Sequence, residues 1–207
     1  MAFCNPWDFF FTGTLDPSKY DRSDLDSFHK DLTCYIKSLN RSSKRHIKFL
    51  FIPELHSDKK SWHIHGFISG LLPEDLKKFA VGDIMGKSIA DRVLLGKSVY
   101  SWLGYSNKFG YCDLEPISNA EAVSKYITKY INKDLAHSVT DLNAHLYYHS
   151  RGLKTAEIIK KGTMSANIAP DFSNEYCDIV WLDYTEQNLR YIADSFLDID
   201  YSNTITL

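Results

Sequence analysis

Apolar positions in the first third of the chain follow the two spacings that distinguish strands from helices. An unbroken apolar run with three consecutive phenylalanines ends at Asp16-Pro17, as expected for a strand buried on both faces. After Asp24, a residue suited to cap a helix, apolar residues recur at every third or fourth position. Two more apolar runs flank the polar residues 57–60 and predict a hairpin. The predicted elements are a strand at 7–15, a helix at 25–39, and strands at 46–55 and 62–68.

The remainder of the chain predicts further helices that alternate with strands. Pro73 opens a short helix, the Gly-, Lys- and Ser-rich residues up to about 97 predict a loop, and Ser118-x-x-Glu121 is a capping box. The further predicted elements are helices at 74–80, 118–135, 154–161 and 185–197, and strands within 105–114, 145–149 and 177–182. This order predicts an α+β fold with a central antiparallel β-sheet of about five strands and helices packed on it.

The composition is that of a globular chain with one substantial core. Of its 207 residues, 44% are apolar and 24% are charged. No apolar run is long enough to cross a bilayer, and residues 1–7 lack the pattern of a secretory signal, so we expect a cytoplasmic protein with no membrane partner. The four cysteines form no C-x-x-C pair, so we expect reduced thiols and no structural zinc site.

Charge is distributed unevenly along the chain. Residues 1–170 contain 23 Lys and Arg against 18 Asp and Glu, a balance of +5, whereas residues 171–207 contain one against eight, a balance of −7. We therefore predict a main domain at 1–170 that can meet a polyanion, and an acidic strand-helix extension at 171–207 packed on the same domain. The acidic segment is equally well explained as a solvated surface.

Two histidines in the predicted hairpin make half of a metal site. His63 and His65 are two residues apart on one strand, so their side chains project from the same face. If the loop at 57–60 sets the register, Glu54 lies directly opposite His63, with Cβ atoms about 5 Å apart. Two imidazoles and one carboxylate leave open coordination positions, which suits a catalytic Mn²⁺ or Mg²⁺ ion. His56 is a competing third ligand, and histidines also occur as ordinary residues of sheet surfaces.

The predicted helix after Ser118 carries two tyrosines and two lysines at helical spacing. Tyr126 and Tyr130 are four residues apart and share a face, and Lys129 and Lys133 each follow a tyrosine by three residues. The alternative is an ordinary buried face with lysines at its edge. Other apolar residues of the same helix already form an apolar stripe, so the core does not require the tyrosines.

Three motifs, in order, resemble those of the HUH endonuclease superfamily. They are Phe11-Thr12-Gly13-Thr14, His63-Ile64-His65, and Tyr126-x-x-Lys129-Tyr130-x-x-Lys133. The paired tyrosines are similar to those of its rolling-circle replication initiators, in the branch that contains the A proteins of small single-stranded DNA phages and related phage or plasmid initiators. Gly13 departs from the family pattern, which often has an aliphatic residue there. The resemblance covers most of residues 8–161.

This resemblance implies an activity and a role for each site residue. In the family a tyrosine attacks a phosphodiester of single-stranded DNA, which forms a 5′-phosphotyrosine and frees a 3′-hydroxyl for a polymerase. The implied nucleophiles are Tyr126 and Tyr130, with Lys129 and Lys133 stabilising the phenolate or the leaving oxygen. The implied partners are single-stranded DNA or an origin hairpin, together with a host helicase and polymerase. The residues implied for the divalent ion are Glu54, His63 and His65.

Basic and aromatic residues of the middle segment predict a track for the DNA. Lysine and arginine bind phosphates, and aromatic rings stack on bases. The same residue types also occur as ordinary surface and core positions. The residues selected for the track are Lys87, Arg92, Lys97, Trp102 and Lys108.

Rival functions remain open from the sequence. A transposase or a conjugative relaxase of the HUH type shares the metal and tyrosine chemistry. A non-enzymatic RNA- or single-stranded-DNA-binding module shares the expected sheet topology, and Lys108-Phe109-Gly110-Tyr111 loosely resembles its aromatic strand signature. The phosphate-loop pattern of nucleotide-driven motors is not satisfied, because Val81 and Asp91 occupy the positions where it requires glycine.

Overall fold

The structure, a computed structural model, is an α+β fold in which helices pack on an antiparallel sheet, and this confirms the predicted fold class. It describes residues 1–43, 45–56, 58, 60–119, 147–157, 162–165, 168–173, 175, 178–183 and 185–197. The helices are α1 Leu25–Ser42, α2 Lys87–Leu94, α3 Leu103–Lys108 and α4 Glu186–Ser195. The strands are β1 Phe9–Leu15, β2 Lys48–Leu55, β3 Trp62–Ser69, β4 Leu76–Lys78, β5 Tyr100–Trp102, β6 Gly110–Pro116, β7 Tyr148–His149, β8 Thr163–Met164, β9 Phe172–Ser173, β10 Asp178–Ile179 and β11 Phe196–Leu197.

The main sheet brings the first and second motifs side by side. Within the described residues it has seven strands in the order β4-β5-β6-β1-β3-β2-β7, all paired antiparallel. Strands β1 and β3 are neighbours, with Thr12 opposite His65 and Thr14 opposite His63. The sequence pattern accounts for fewer strands because β4 and β5 are only three residues long, too short to show a period.

One face of the sheet is covered by α1 and α3. Asp24 caps α1 as predicted, because its side chain accepts a hydrogen bond from the backbone N–H of Ser27 at 3.0 Å. The apolar residues of the helix then fall on one side and pack on the strands. The core of this face includes Phe11, Phe51, Ile64 and Leu114 of the sheet, Phe28, Leu32 and Ile36 of α1, and Tyr105 of α3.

The packing of this core explains why a glycine occurs in the first motif. A Cβ on Gly13 would lie 2.7 Å from the hydroxyl oxygen of Tyr105 and 2.7 Å from ring carbons of Phe11. Tyr105 is fully buried, and burial raises the pKa of its phenol well above the ordinary value. Aromatic side chains therefore occupy the space that an aliphatic residue at position 13 would need.

The opposite face of the sheet is apolar at one end and polar at the other. A second small core forms where the N-terminal segment crosses this face, and it contains Trp7, Leu50, Ile52 and Phe67. Towards the hairpin end of β2 and β3 the side chains on the same face become polar. This polar end carries Thr12, Thr14, Glu54, His63 and His65.

Two predicted elements of the middle segment are wrong. In place of a helix at 74–80, a 3₁₀ turn at Pro73–Asp75 leads into β4, which pairs with β5. In place of a loop before residue 97, α2 forms and turns Ile89 and Val93 towards the protein. Both segments take their structure from partners distant in sequence, which outweigh local preference.

The strand predicted within 105–114 is only partly correct. Its first half forms α3, whose fully buried Tyr105 anchors the helix in the core, and its second half belongs to β6. The predicted strand near 145–149 is observed as β7, which extends the sheet beside β2. Residues 154–157 are not helical, and 158–161 lie outside the described residues.

By chain contacts the protein divides into two units, Met1–Ala156 and Glu157–Leu207. In the second unit β9 pairs with β10 and β8 pairs with β11. Helix α4 corresponds to the predicted terminal helix, and Thr185 accepts a hydrogen bond at its start from the backbone N–H of Asn188 at 3.1 Å. The predicted domain boundary at residue 170 stays a prediction.

Of the helices that the structure describes, none combines the length and apolar character needed to cross a bilayer.

Candidate active site

The hairpin has the register predicted from its loop. Glu54 lies opposite His63, Leu55 lies opposite Trp62, and the backbone N–H of His56 donates to the carbonyl of Ser61 at 2.7 Å. The carboxylate and the imidazole therefore share one face of the sheet, as the pattern requires.

Two cross-strand rows on this face run over β2, β3, β1 and β6. The first row is Glu54, His63, Thr14 and Tyr111. The second row is Ile52, His65, Thr12 and Asp113. Each histidine is thus flanked by a residue of β2 on one side and a threonine of β1 on the other.

The threonines of the first motif hold the histidines of the second. The hydroxyl of Thr14 lies 2.8 Å from Nδ1 of His63, and the hydroxyl of Thr12 lies 3.3 Å from Nδ1 of His65. A hydroxyl can accept a hydrogen bond from Nδ1–H, which fixes the ring orientation and leaves the Nε2 lone pair for another partner. The sequence predicts that both threonines lie on one face of the sheet, because Phe10, Thr12 and Thr14 are two residues apart and strand side chains alternate between faces.

His63 presents a buried nitrogen with no partner. Its Nε2 is shielded from solvent and makes no hydrogen bond. Burial, together with the charges of His56, His65 and Arg22, lowers the pKa of His63 to about 4 against the opposing effect of Glu54. The imidazole is therefore neutral at neutral pH. With Nδ1–H donated to Thr14, the unpaired atom is a lone pair, which burial tolerates better than an unpaired N–H.

Glu54 and His65 are in direct contact. Oε2 of Glu54 lies 2.9 Å from Nε2 of His65, and both side chains are only about one-seventh exposed, at 14% and 13%. The ring of His56 lies beside that of His63, with centroids 4.6 Å apart, but its side chain is 44% exposed and extends towards Asp58. The more enclosed Glu54 is thus the better placed third member of the site.

The side chains fit a divalent ion, although they are not arranged around one. In the part of the chain that the structure describes, no three or more His, Cys, Asp and Glu side chains already converge as a metal-binding cluster. The fit rests on the buried Nε2 of His63, which lacks a partner, and on the 2.9 Å separation of the Glu54 and His65 ligand atoms. Two imidazole nitrogens and one carboxylate are a donor set for Mn²⁺ and related ions.

A wide cleft opens over the two rows, with a volume of about 1300 Å³. Its floor includes Thr12, Thr14 and His63, and its wall includes Met85 and Ile89 from α2 and the turn before it. Tyr111 of β6 also lines the cleft, and its side chain is 70% exposed. The cleft is large enough for several nucleotides, and His63 is the candidate metal ligand that lines it.

Arg92, selected for the DNA track, lies in this cleft but is engaged with carboxylates. Its Nη1 donates to Asp113 at 2.9 Å and to Glu115, and Lys97 lies 3.7 Å from the other oxygen of Glu115. Burial raises the pKa of Asp113 against the opposing effect of Arg92. Arg92 and Lys97 therefore fasten the α2 segment to β6, and phosphate binding would have to compete with these pairs.

The other members of the predicted track are dispersed. Lys87 is exposed at the start of α2, whereas the ammonium of Lys108 lies 5.3 Å from the ring of Tyr35, over the covered face. The prediction that Trp102 belongs to the DNA track is wrong, because its side chain is fully buried in the core between Phe11 and Tyr105 and has no surface on which a base can stack.

The predicted nucleophile helix lies outside the described residues. Of its capping box only Ser118 is described, at the edge of the cleft. The residues concerned are Tyr126, Lys129, Tyr130 and Lys133.

The structure does not support the motif on which the RNA-binding alternative depends. Phe109, the central aromatic residue of Lys108-Phe109-Gly110-Tyr111, is fully buried against Phe28 and Tyr105. A buried ring cannot stack on a base, so the likeness to an RNA-binding strand signature is superficial.

Comparison with known proteins identifies a family. No curated protein and no solved structure matches the chain. The model of one family, described as replication-associated protein ORF2, matches residues 8–135, which contain both cross-strand rows and the residues of the predicted nucleophile helix. The match covers more than half of the chain. The protein therefore belongs to the replication-associated protein ORF2 family, a family of replication initiators that bind DNA.

Proposed function

We propose that the protein initiates rolling-circle DNA replication by nicking and rejoining single-stranded DNA at an origin. The observation that carries this proposal is the pairing of Thr14 with His63 and of Thr12 with His65 beneath an open cleft, with Nε2 of His63 buried and unpartnered. Membership of the family supplies the biological context.

In this proposal Glu54, His63 and His65 hold a Mn²⁺ or Mg²⁺ ion. When bound, the ion supplies positive charge at a non-bridging oxygen of the scissile phosphate. The low pKa of His63, about 4, means that no proton has to be displaced from this ring near neutral pH. Thr12 and Thr14 keep the rings from rotating while the DNA enters.

The nucleophile in this proposal is the phenolic oxygen of Tyr126 or Tyr130. It forms a bond to phosphorus, the bond from phosphorus to the 3′ oxygen breaks, the phenolic proton passes to solvent, and the 3′ oxygen takes up a proton. Lys129 and Lys133 offset the negative charge on the phenol and leaving oxygens. The products are a 5′-phosphotyrosine and a free 3′-hydroxyl.

The second tyrosine allows the cycle to end without another energy source. It cuts again while the first tyrosine still holds a DNA end, and the new 3′-hydroxyl then attacks the phosphotyrosine to seal a circle. The phosphodiester energy is retained in the covalent bond. Unwinding and synthesis are assigned to a host helicase and a host polymerase.

A covalent-adduct assay tests this function. The protein is incubated with labelled origin single strands and Mn²⁺, and DNA that migrates with protein is measured on a denaturing gel. The parent is expected to form an adduct, Tyr126→Phe and Tyr130→Phe to form less, and the double variant to form none. Tyr191→Phe, at a 45% exposed position of α4, is the matched control and should label like the parent.

The same assay distinguishes the rival functions. Equal labelling of the double variant and the parent would refute the nucleophile assignment. A non-enzymatic module would form no adduct with any strand. Cleavage at transposon ends or at a transfer origin, in place of a replication origin, would indicate a transposase or a relaxase.

A further inference from the structure

Arg22 lies next to the candidate metal site, although no sequence motif includes it. It is in the segment between β1 and α1, and its carbonyl accepts a hydrogen bond from the backbone N–H of Trp62 at 3.0 Å. Trp62 begins β3 and directly precedes His63. The side chain of Asp21 accepts from the N–H of Ser23 at 2.9 Å and from its hydroxyl at 2.7 Å, which fixes the backbone on both sides of Arg22.

The guanidinium of Arg22 differs from other partly buried arginines of the protein. Its Nε, like that of Arg45, is shielded from solvent and has no hydrogen-bond partner. Within the described part of the chain no carboxylate pairs with it, whereas Arg45 pairs with Asp75 at 2.6 Å and Arg92 pairs with Asp113 at 2.9 Å.

This arrangement is unfavourable unless an anion enters it. A buried donor without a partner costs about 1–3 kcal/mol, and more when the group is charged. A second positive charge beside residues suited to hold a cation adds repulsion. An anionic oxygen close to both would satisfy Nε and neutralise the charge, and the planar guanidinium matches the geometry of phosphate oxygens.

We infer that Arg22 binds a non-bridging oxygen of a DNA phosphodiester and positions it beside His63. This inference rests on the proposed function, since it assigns a binding residue for the same substrate. The ligand class is a phosphodiester of single-stranded DNA, which enters the cleft that His63 lines. Arg22 would thus hold the phosphate from the side of the β1–α1 segment.

Binding of a fluorescent single-stranded oligodeoxynucleotide tests Arg22 without any cleavage. The affinity is measured by anisotropy in EDTA at several salt concentrations, for the parent, Arg22→Gln, Arg22→Lys and Arg41→Gln. Arg41 is the matched control, because it is an exposed arginine whose Nε donates to the carbonyl of Lys37 in its own helix. Thermal unfolding confirms that each variant is folded.

The expected results separate charge from geometry. Arg22→Gln should weaken binding about tenfold and reduce the magnitude of the slope of log K against log salt by about 0.7, the value for one phosphate contact on a single strand. Arg22→Lys should keep the slope but bind less tightly than the parent, because the ammonium is a point charge. Arg41→Gln should leave the slope at the parent value.

Two outcomes would overturn the inference. One is that Arg22→Gln keeps the parent slope, and the other is that Arg41→Gln lowers it equally. If Arg22→Gln does not fold, a reduced slope for Arg22→Lys overturns it as well. Either outcome would leave the proposed nuclease function to be judged by the adduct assay with the tyrosine variants. Conversely, if the parent forms no adduct but the salt slope of its DNA binding still depends on Arg22, the nuclease function is refuted and the phosphate site is retained.

Discussion

The two faces of the main sheet are built from the same strands, but one is a buried apolar core and the other carries a polar site under a cleft. On the covered face Phe11 and Ile64 are fully enclosed by α1 and α3. On the other face, their sequence neighbours Thr12 and His65 hydrogen-bond to each other under an open cleft. Alternation along each strand therefore lets a rigid apolar layer support a polar site one residue away.

The largest expected effect is on the covered face. Phe11→Ala should lower the free energy of unfolding by about 3–5 kcal/mol, because it removes a ring that packs on Phe51, Trp102 and Tyr105. Thr12→Val, one residue away, should cost about 1 kcal/mol, the value of one hydrogen bond. Urea denaturation measures both. Equal losses would remove the distinction between the faces.

A smaller loss is expected for the charge pairs of the open face. Arg92→Gln should lower the free energy of unfolding by about 2–3 kcal/mol at neutral pH, because it leaves the carboxylates of Asp113 and Glu115 without their charged partner. This loss is somewhat less than that for a fully buried pair. The pKa of Asp113 is already raised by burial and should rise further in the variant. The deficit should therefore shrink as the pH falls and Asp113 takes up a proton. A deficit that does not vary with pH in urea denaturation would contradict this role.

The next effect concerns affinity for the metal and not stability. Thr14→Val should weaken Mn²⁺ binding by about 10- to 100-fold, because Nδ1 of His63 loses the partner that orients the ring. Thr14→Ser keeps the hydroxyl and should bind Mn²⁺ nearly as the parent does. Calorimetric titration of each variant measures the affinity. Equal affinities for Val and Ser would show that the hydroxyl does not orient the histidine.

A separate expectation is a pH dependence of stability due to His63. In the native protein its pKa is about 4, whereas an unfolded histidine titrates near about 6.5. Between these values the unfolded chain binds a proton that the native state does not, so stability should fall as the pH is lowered from about 6.5 to about 4. Above pH 6.5 His63 contributes no such dependence.

His63→Gln serves as the control for that pH dependence. The variant should have a flatter stability profile between pH 4 and 6.5 than the parent, measured by urea denaturation. An NMR titration should also follow the His63 ring directly, with its midpoint near pH 4. A midpoint near 6.5 would mean that the ring is solvated.

Local sequence patterns were sufficient to predict features that depend on residue spacing within one strand, helix or hairpin. Asp24 predicts the start of α1, and the two-residue spacing of His63 and His65 predicts their common face. The loop length between β2 and β3 predicts that Glu54 faces His63. Each of these inferences needs only the geometry of one strand, one helix or one hairpin.

Features that depend on distant partners could not be read in this way. Helix α2 is fastened by the contacts of Arg92 with β6, and nothing near Arg92 in sequence indicates them. Because α3 interrupts the strand expected within 105–114, the sequence does not tell which aromatic residues face the cleft. Tyr111 is exposed there and Trp102 is buried. The backbone of Arg22 lies beside β3 because its carbonyl accepts a hydrogen bond from Trp62.

Mn²⁺ titration of the metal-free protein, followed by electron paramagnetic resonance, measures whether the open face of the sheet binds a metal ion. We expect one tightly bound ion per chain and at least 100-fold weaker binding in His63→Gln and in Glu54→Gln, with binding unchanged in His149→Gln, at an exposed histidine of β7. Binding that is equally strong in all three variants would contradict a metal site on the open face of the sheet.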